Sequence, residues 1–333
     1  MKGPLYQVII TDCDHGSIRE EKEEFDRIGI ELTLAQVREE EDLIRMCRDA
    51  DGLINQYAFL TRKVLEKLPK CKVIARYGVG VDSIDLKAAT DLGIIVANVP
   101  DYCIDEVSDH AIAMILSLVR KTALFNQRAK SGGWDFRLGI PIRRIRGKTL
   151  GLIGCGKIGL EVARKIAVFG VRVISFDPYV ERAPDGIELT DFDTVLNKSD
   201  FISIHCPLNE STHHLIGEKE LKKMEKKPLL INTSRGPIVN EKALIQALEG
   251  GHISGAGLDV LEIEPPDSGN PMLGMENVIL SPHVGFYSEE SISELKRRTA
   301  KNVSDVLMGR WPVSVVNRGV MGKTRAFVSA DTI

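Results

Sequence analysis

The stretch from Lys148 to Asp177, KTLGLIGCGKIGLEVARKIAVFGVRVISFD, constrains the fold more than any other part of the chain. Thr149–Ile153 is an apolar run short enough to be a buried strand. Gly154-Cys155-Gly156-Lys157-Ile158-Gly159 follows, and then Ile158, Val162, Ile166 and Phe169 recur at the three- and four-residue steps of one helix face. Gly170 stops that helix, and Val171–Phe176 is a second β-rich run closing on Asp177. Glycine-rich turns are common, so the GxGxxG pattern alone says little. Set between a strand and a helix, with an acid about 20 residues on, it predicts a dinucleotide-binding βαβ unit. In that unit Gly154 permits the tight turn, Gly156 lets backbone approach a pyrophosphate, and Gly159 lets the helix pack close to the strand. The helix N-terminus offers unpaired N–H groups and the positive end of its dipole to the phosphates. Asp177 would accept hydrogen bonds from an adenosine ribose and repel a 2′-phosphate, which predicts NAD rather than NADP.

A chain of 333 residues is long for one core, so two domains are expected. Up to about residue 98 strands and helices alternate on their own. Tyr6–Thr11, Gly52–Asn55, Lys72–Arg76 and Ile94–Ala97 read as strands; Ile18–Arg27, Glu40–Asp49, Thr61–Leu68 and Asp85–Asp91 read as helices. That rhythm predicts a small parallel α/β domain. Pro100 then marks a crossing to the helix Ile104–Lys121, apolar nearly all round and expected to be buried. After Asp177 the alternation resumes. Thr190–Asn197 is expected as a helix capped by Thr190 and Asp193, followed by strands at Phe201–Cys206, Pro228–Asn232, Ile253–Leu258 and Asn277–Leu280. Ser288 should cap a long amphipathic helix that returns to the N-terminal domain, and the aperiodic tail from Arg318 is expected to be loosely ordered. The expected boundaries are 1–100 with 292–333 for one domain and 101–291 for the other.

Composition excludes several classes of function. A net charge of −3 argues against nucleic acid or an anionic membrane as partner. The six cysteines are scattered without a CxxC, which points to reduced thiols in a cytoplasm and to no metal site. The N-terminus turns acidic too early for a secretory signal, and the most apolar helix, from Ala111 to Val119, is too short to span a bilayer.

Three charged residues fall just after expected strands: Arg235 in INTSRGPIV, Glu264 in GAGLDVLEIEPP and His283 in VILSPHVG. Strands of an open parallel sheet present their carboxyl ends to the ligand crevice, so these side chains should converge there. Singly they also read as a surface ion pair, a solvated loop acid and a turn cap. Together they suit hydride transfer to a 2-oxo acid. Arg235 can hold the carboxylate or carbonyl through its planar fork, and His283 can give the carbonyl oxygen its proton. Glu264 can hydrogen-bond the imidazole, fixing its tautomer and favouring its protonated form. Tyr57, just past a strand end, and Phe286, three residues past His283, are candidates for the substrate side-chain pocket. Arg76 is a candidate second cation for an acidic substrate.

With these residues in view, the chain resembles the D-isomer-specific 2-hydroxyacid dehydrogenase family along nearly its full length. The resemblance is carried by RYGVGVDSIDLKAATDLGIIVANVP, GLIGCGKIG, HCPLNESTHHLI, NTSRGPIVNEKALIQAL, GAGLDVLEIEPP and SPHVG, in that order. Within the family RIRGKTLG, DPYV, LNESTHHLI and HVGFYSEES resemble the C-terminal binding protein branch. The resemblance implies two doubly wound parallel-sheet α/β domains, Rossmann-like, with the active site in the cleft between them and a homodimer as the assembly. The discontinuous domain would be the flavodoxin-like substrate domain and the other the NAD-binding one. It implies catalytic Arg235, Glu264 and His283, and cofactor contacts at Gly154, Gly156, Lys157, Ile158, Gly159, Asp177, Cys206, Pro207, Thr233 and Asp259. The backbone of Val79 and Gly80 would hold the substrate carboxylate. Glu264 departs from the formate dehydrogenases, which have glutamine there, and Phe286 replaces a tryptophan of the eukaryotic C-terminal binding proteins. Two functions fit: a dehydrogenase of small 2-oxo or 2-hydroxy acids, and an NAD-sensing dimeric interaction protein of the corepressor type. The compact chain favours the enzyme.

Overall fold

Short β-branched runs separated by helices form two all-parallel sheets in the computed structural model, which describes residues 5–326. The chain divides into two units. One runs to Tyr102 and resumes at Ser288; the other is Cys103–Tyr287. These divisions differ slightly from the expected 100/101 and 291/292, because Ser288 belongs to the helix it caps.

In the first unit the strands are β1 (Tyr6–Ile10), β2 (Ile30–Leu34), β3 (Gly52–Asn55), β4 (Val73–Arg76) and β5 (Ile95–Ala97). They alternate with α1 (Arg19–Asp26), α2 (Glu40–Cys47), α3 (Arg62–Glu66) and α4 (Leu86–Asp91). The sheet order is β2-β1-β3-β4-β5. Val8, Ile10, Leu53, Ile54, Ile74 and Val96 are fully buried in it, as strands covered on both faces must be. The order reverses between β1 and β3, so their carboxyl ends open a crevice, the usual ligand position in such a sheet. β2 was not among the expected strands. It is an edge strand in which only Ile30 is buried, and its Glu31 and Thr33 break the apolar run that marks a central strand.

The second unit begins with α5 (Ile104–Arg120) and α6 (Thr122–Lys130) and then enters its sheet. Its strands are β6 (Thr149–Ile153), β7 (Arg172–Phe176), β8 (Ile187–Leu189), β9 (Phe201–Ile204), β10 (Leu229–Asn232), β11 (Gly255–Leu258) and β12 (Val278–Leu280). Helices α7 (Lys157–Ala167), α8 (Phe192–Lys198), α9 (Glu218–Lys222) and α10 (Glu241–Glu249) lie between them. The order β12-β11-β10-β9-β6-β7-β8 reverses between β6 and β9, the doubly wound arrangement of dinucleotide-binding sheets. Three local expectations are corrected here. The cap of α8 is Asp191, whose carboxylate accepts the Thr194 N–H at 2.7 Å, and not Thr190. α6 was not expected, since it buries no residue and so has no apolar stripe to read. α5 is not buried all round: Asp105, Asp109, Ala113 and Arg120 are exposed, and Lys165 pairs with Asp105 and Asp109 at 3.0 and 2.7 Å.

The chain then returns to the first unit through α11 (Glu289–Leu307). Ser288 caps it as expected: its hydroxyl accepts the Ser291 N–H, and the Ser291 hydroxyl accepts the Ser288 N–H, both at 2.9 Å. The helix covers β3 and β4 and packs on α1. At that contact Lys296, almost wholly buried, sits 2.6 Å from Glu20 and 3.6 Å from Glu21 and donates to the Ser17 carbonyl. Burial pushes the Glu21 carboxyl up, against the hydrogen bond it accepts from the Tyr77 hydroxyl at 2.5 Å. The expectation of a loose tail does not hold through Ala326. Asn317 accepts from the Val96 N–H at 2.8 Å and donates to the Ile94 carbonyl at 2.9 Å, Val320 is buried, and the Arg325 N–H reaches the Gly93 carbonyl at 2.8 Å. Order there comes from hydrogen bonds to distant backbone, which leave no periodicity in sequence. The part of the tail from 327 lies outside the described residues.

Candidate active site

In the second unit, every residue expected to touch cofactor or to carry chemistry follows the carboxyl end of a strand. β6 is followed by Gly154, whose φ of +97° places it where side-chain-bearing residues are strained. A Cβ on Gly154 would also stand 2.7 Å from the backbone of His205 and Cys206, so the turn and the end of β9 touch. A Cβ on Gly159 would meet the Gly154 carbonyl at 2.5 Å, whereas one on Gly156 would meet open space beside the start of α7. That open space at a helix N-terminus is where a pyrophosphate would be cradled. Lys157 and Ile158 are the first two residues of α7. Asp177, after β7, accepts the Cys155 N–H at 2.8 Å and the Tyr179 N–H at 2.9 Å, which fixes its carboxylate beside the glycine turn.

Beyond β9 and β10 the loops are tied together. The Ser234 hydroxyl donates to the Cys206 carbonyl at 2.5 Å, and Pro207 follows on the surface. The Thr233 hydroxyl is buried without a hydrogen-bond partner among the described residues. A buried hydroxyl of that kind is expected to find a donor or acceptor in a ligand. With the open cradle at Gly156 and the oriented Asp177 carboxylate, it makes the residues present fit a bound dinucleotide.

Arg235 opens a 3-10 turn and donates from Nη1 to the Ser234 carbonyl at 2.8 Å. Its own carbonyl accepts from the Asn232 side chain at 2.9 Å. The next residue, Gly236, lies so close to the loop after β11 that a Cβ would fall 1.9 Å from the Leu261 carbonyl oxygen. The Arg235 turn and the Glu264 loop are therefore in backbone contact. Glu264 accepts the Leu261 N–H at 3.0 Å with one oxygen and meets His283 Nδ1 at 2.8 Å with the other. An ionised carboxylate only accepts, so Nδ1 carries the proton and Nε2 is the nitrogen left to exchange one. His283 has φ +53°, an unusual conformation for a residue with a side chain, and its N–H donates to the Asp259 carbonyl at 2.8 Å. Phe286 lies edge-on to the imidazole with ring centroids 6.3 Å apart.

Asp259 is almost fully buried. Burial raises its carboxyl, but hydrogen bonds from His110, Ser281, Val284 and Gly285 outweigh that and hold it below the usual range. Ser281 and His110 were not among the residues singled out from the sequence; nothing around a histidine inside α5 marks it locally. His205, at the end of β9, was also missed. Its Nε2 lies 2.8 Å from the Ser203 hydroxyl, and burial pushes its pKa down to about 4.

The substrate candidates in the first unit also follow strand ends. Tyr57 donates its N–H to Asp12, which also receives those of Gln56 and Ala58, and Arg38 lies 5.0 Å over its ring. Arg76 ends β4 and folds its guanidinium across Gly78. The Val79 carbonyl accepts from the Asn98 side chain at 2.6 Å, and Gly80 follows.

Known proteins show which family the chain belongs to. Residues 112–285 match the family described as "D-isomer specific 2-hydroxyacid dehydrogenase, NAD binding domain". A glyoxylate reductase of Thermofilum pendens is 38% identical over 296 residues, 84% of this chain and 85% of that protein. The chain belongs to the D-isomer specific 2-hydroxyacid dehydrogenase family. It is an NAD-dependent oxidoreductase of 2-oxo and 2-hydroxy acids. A D-3-phosphoglycerate dehydrogenase of Methanocaldococcus jannaschii is 37% identical over 94% of this chain but only 60% of its own length. Among solved structures, an acyclic imino acid reductase (Bsp5) in complex with NADPH and D-Arg superposes with a TM-score of 0.85 at 29% identity, covering 93% of this chain and 99% of that one.

The His205 environment carries a pH prediction. Its folded pKa lies below the ordinary histidine value, so between about 6.5 and about 4 the unfolded chain binds the extra proton. The stability that a neutral His205 contributes is full above about pH 6.5, falls as pH drops toward about 4, and changes no further below. Since the residue keeps some exposure, the loss should be roughly 1–3 kcal/mol. Urea midpoints measured across that range should fall more steeply for the wild type than for His205→Gln; parallel curves would refute the assignment.

Proposed function

We propose that the chain reduces a small 2-oxo acid to its D-2-hydroxy acid, with Arg235, Glu264 and His283 as the catalytic set. The observation that carries the proposal is the 2.8 Å pairing of His283 Nδ1 with Glu264, on a loop in backbone contact with the Arg235 turn. NADH, when bound, supplies the hydride to the carbonyl carbon. The Arg235 guanidinium holds the substrate carboxylate or carbonyl as a planar fork. His283 gives the proton on Nε2 to the carbonyl oxygen, and Glu264 keeps the opposite nitrogen protonated and the ring aimed. Oxidation runs through the same residues in reverse, with Nε2 accepting the proton. In this reading Val79 and Gly80 offer backbone N–H groups to the carboxylate, and Tyr57, Phe286 and Arg76 are candidates for contact with the rest of the substrate. The names of the glyoxylate reductase and phosphoglycerate dehydrogenase relatives make glyoxylate and other short 2-oxo acids the first substrates to test, followed by NADH absorbance. His283→Ala should lose roughly 10²–10⁴-fold in kcat, the scale of a positioned acid–base group, while NADH still quenches or enhances fluorescence with near wild-type affinity. Turnover close to wild type in that variant would remove the histidine from the mechanism. The corepressor-type reading is the less favoured one, since the relatives named above are enzymes.

Within the cofactor site, Asp177 is proposed to take the ribose hydroxyls and to exclude a 2′-phosphate. That the similarly folded Bsp5 protein is in complex with NADPH supports reading the preference as a matter of particular residues and not of the fold. NADH should therefore be preferred over NADPH by a large factor in kcat/KM, and Asp177→Ala should narrow the ratio. Equal efficiency with the two cofactors in the wild type would defeat the assignment.

The assembly proposed is a homodimer in a reducing, cytoplasmic compartment, without nucleic-acid or membrane partners. Trp134, Phe136, Leu138 and Ile140 are each more than half exposed within one short segment, and such a run of apolar surface is usually covered by a partner. All six cysteines are free thiols, and no helix among the described residues is long and apolar enough to cross a membrane. Light scattering should give twice the chain mass for the wild type and a shift toward monomer for Phe136→Glu. A monomeric wild type at micromolar concentration would contradict the proposal.

A further inference from the structure

Asp259 collects the backbone of the whole turn that carries the proposed acid–base histidine. Its carbonyl accepts the His283 N–H at 2.8 Å, Oδ1 accepts the Val284 N–H at 2.9 Å, and Oδ2 accepts the Gly285 N–H at 2.8 Å. Three consecutive N–H groups thus converge on one residue, and they hold His283 in its left-handed conformation. That conformation is unfavourable for a residue with a side chain, so it persists only while the surroundings impose it.

The orientation of the Asp259 carboxylate is set from behind. The Ser281 hydroxyl donates to Oδ1 at 2.6 Å, and His110 Nε2 lies 2.8 Å from that hydroxyl and 3.4 Å from Oδ1. The direction of donation follows from valence. An ionised carboxylate can only accept, so the single hydroxyl proton of Ser281 points at Asp259. Toward His110 the same oxygen must then accept, which places a proton on His110 Nε2. Donation runs one way, from His110 through Ser281 to Asp259. Each carboxylate oxygen has two lone pairs. Oδ2 spends one on Gly285, which leaves one for a donor on a ligand.

We propose that His110 is a positioning residue for the reaction: through Ser281 it orients the Asp259 carboxylate, which clamps the 281–285 turn and so aims His283. His110 lies on α5, far in sequence from the residues it controls, and makes no contact of its own with the His283–Glu264 pair in this scheme. The inference rests on the proposed role of His283 only for its kinetic consequence; the clamp itself is a property of the protein without cofactor.

The test compares wild type with His110→Ala, His110→Gln and Ser281→Ala. Amide hydrogen exchange in the cofactor-free protein reads the clamp at His283, Val284 and Gly285. It should accelerate about tenfold or more in His110→Ala and Ser281→Ala, as local opening becomes easier. It should stay within about threefold of wild type in His110→Gln, whose side-chain amide can still donate to Ser281. With NADH and a 2-oxo acid, kcat should fall about tenfold in the alanine variants with a smaller change in KM for NADH, and the isotope effect from deuterated NADH should rise; such losses are typical of slight misplacement. Glutamine should restore most of kcat. Exchange within about twofold of wild type in His110→Ala and Ser281→Ala would overturn the proposal, and so would equal losses in His110→Ala and His110→Gln. Should His110→Ala fail to fold, Ser281→Ala decides by the same criteria. A wild type that reduces no 2-oxo acid would defeat the reaction assigned to the site, while the exchange data would still decide the clamp.

Discussion

Parallel strands can be joined only by crossovers, so every strand in a sheet of this kind ends at the same edge. That constraint explains why residues far apart in sequence share a site. Gly154, Asp177, Cys206, Thr233, Asp259 and His283 each stand just beyond a strand end, and the sheet order alone brings them to one rim. The loops are then fastened to each other and not merely left adjacent. The Ser234 hydroxyl ties the β10 loop to Cys206, Gly236 lets that loop meet Leu261, and Asp259 gathers the N–H groups beyond β12. A rigid rim built this way can hold side chains at a fixed spacing without a metal or a disulfide among the described residues.

The sequence made the central strands and the nucleotide turn legible for a physical reason. β6, β9 and β10 are covered on both faces, so they read as continuous apolar runs, and the turn glycines answer to backbone demands that no other residue meets. β2 and β8 were not expected because edge strands tolerate polar residues and carry no such run. α6 buries nothing and so leaves no stripe. The tail to Ala326 is ordered by single hydrogen bonds to Gly93, Ile94 and Val96, a pattern without a period. Arg235, Glu264 and His283 could be picked out because a charged side chain after an apolar strand is conspicuous. His110 could not, because a histidine between Asp109 and Ala111 on an amphipathic helix looks like any residue at the edge of a buried face.

Buried polar groups serve in two ways. Around Asp259 in the second unit and Asp12 in the first, a buried carboxylate gathers backbone N–H groups. Elsewhere in the first unit, a buried ammonium at Lys296 faces two carboxylates, Glu20 and Glu21, with Tyr77 donating to the latter. Ion pairs of that kind add little net stability, but removing one partner leaves the other charge stranded, typically at about 3–5 kcal/mol. They therefore fix which helix lies against which strand more than they strengthen the fold.

The last helix completes the first sheet. α11 begins at Glu289, yet it is what covers β3 and β4, strands made from residues 52–55 and 73–76. The whole of the second unit is thus an insertion between the first sheet and its own cover. On a ribosome, which releases the chain in order, the first sheet emerges with β3 and β4 uncovered on the α11 side and keeps them so until residue 307 is free. Meanwhile the inserted unit already has all seven of its strands. Domains tend to fold as units during synthesis, so the part that starts the chain is here the part that finishes last.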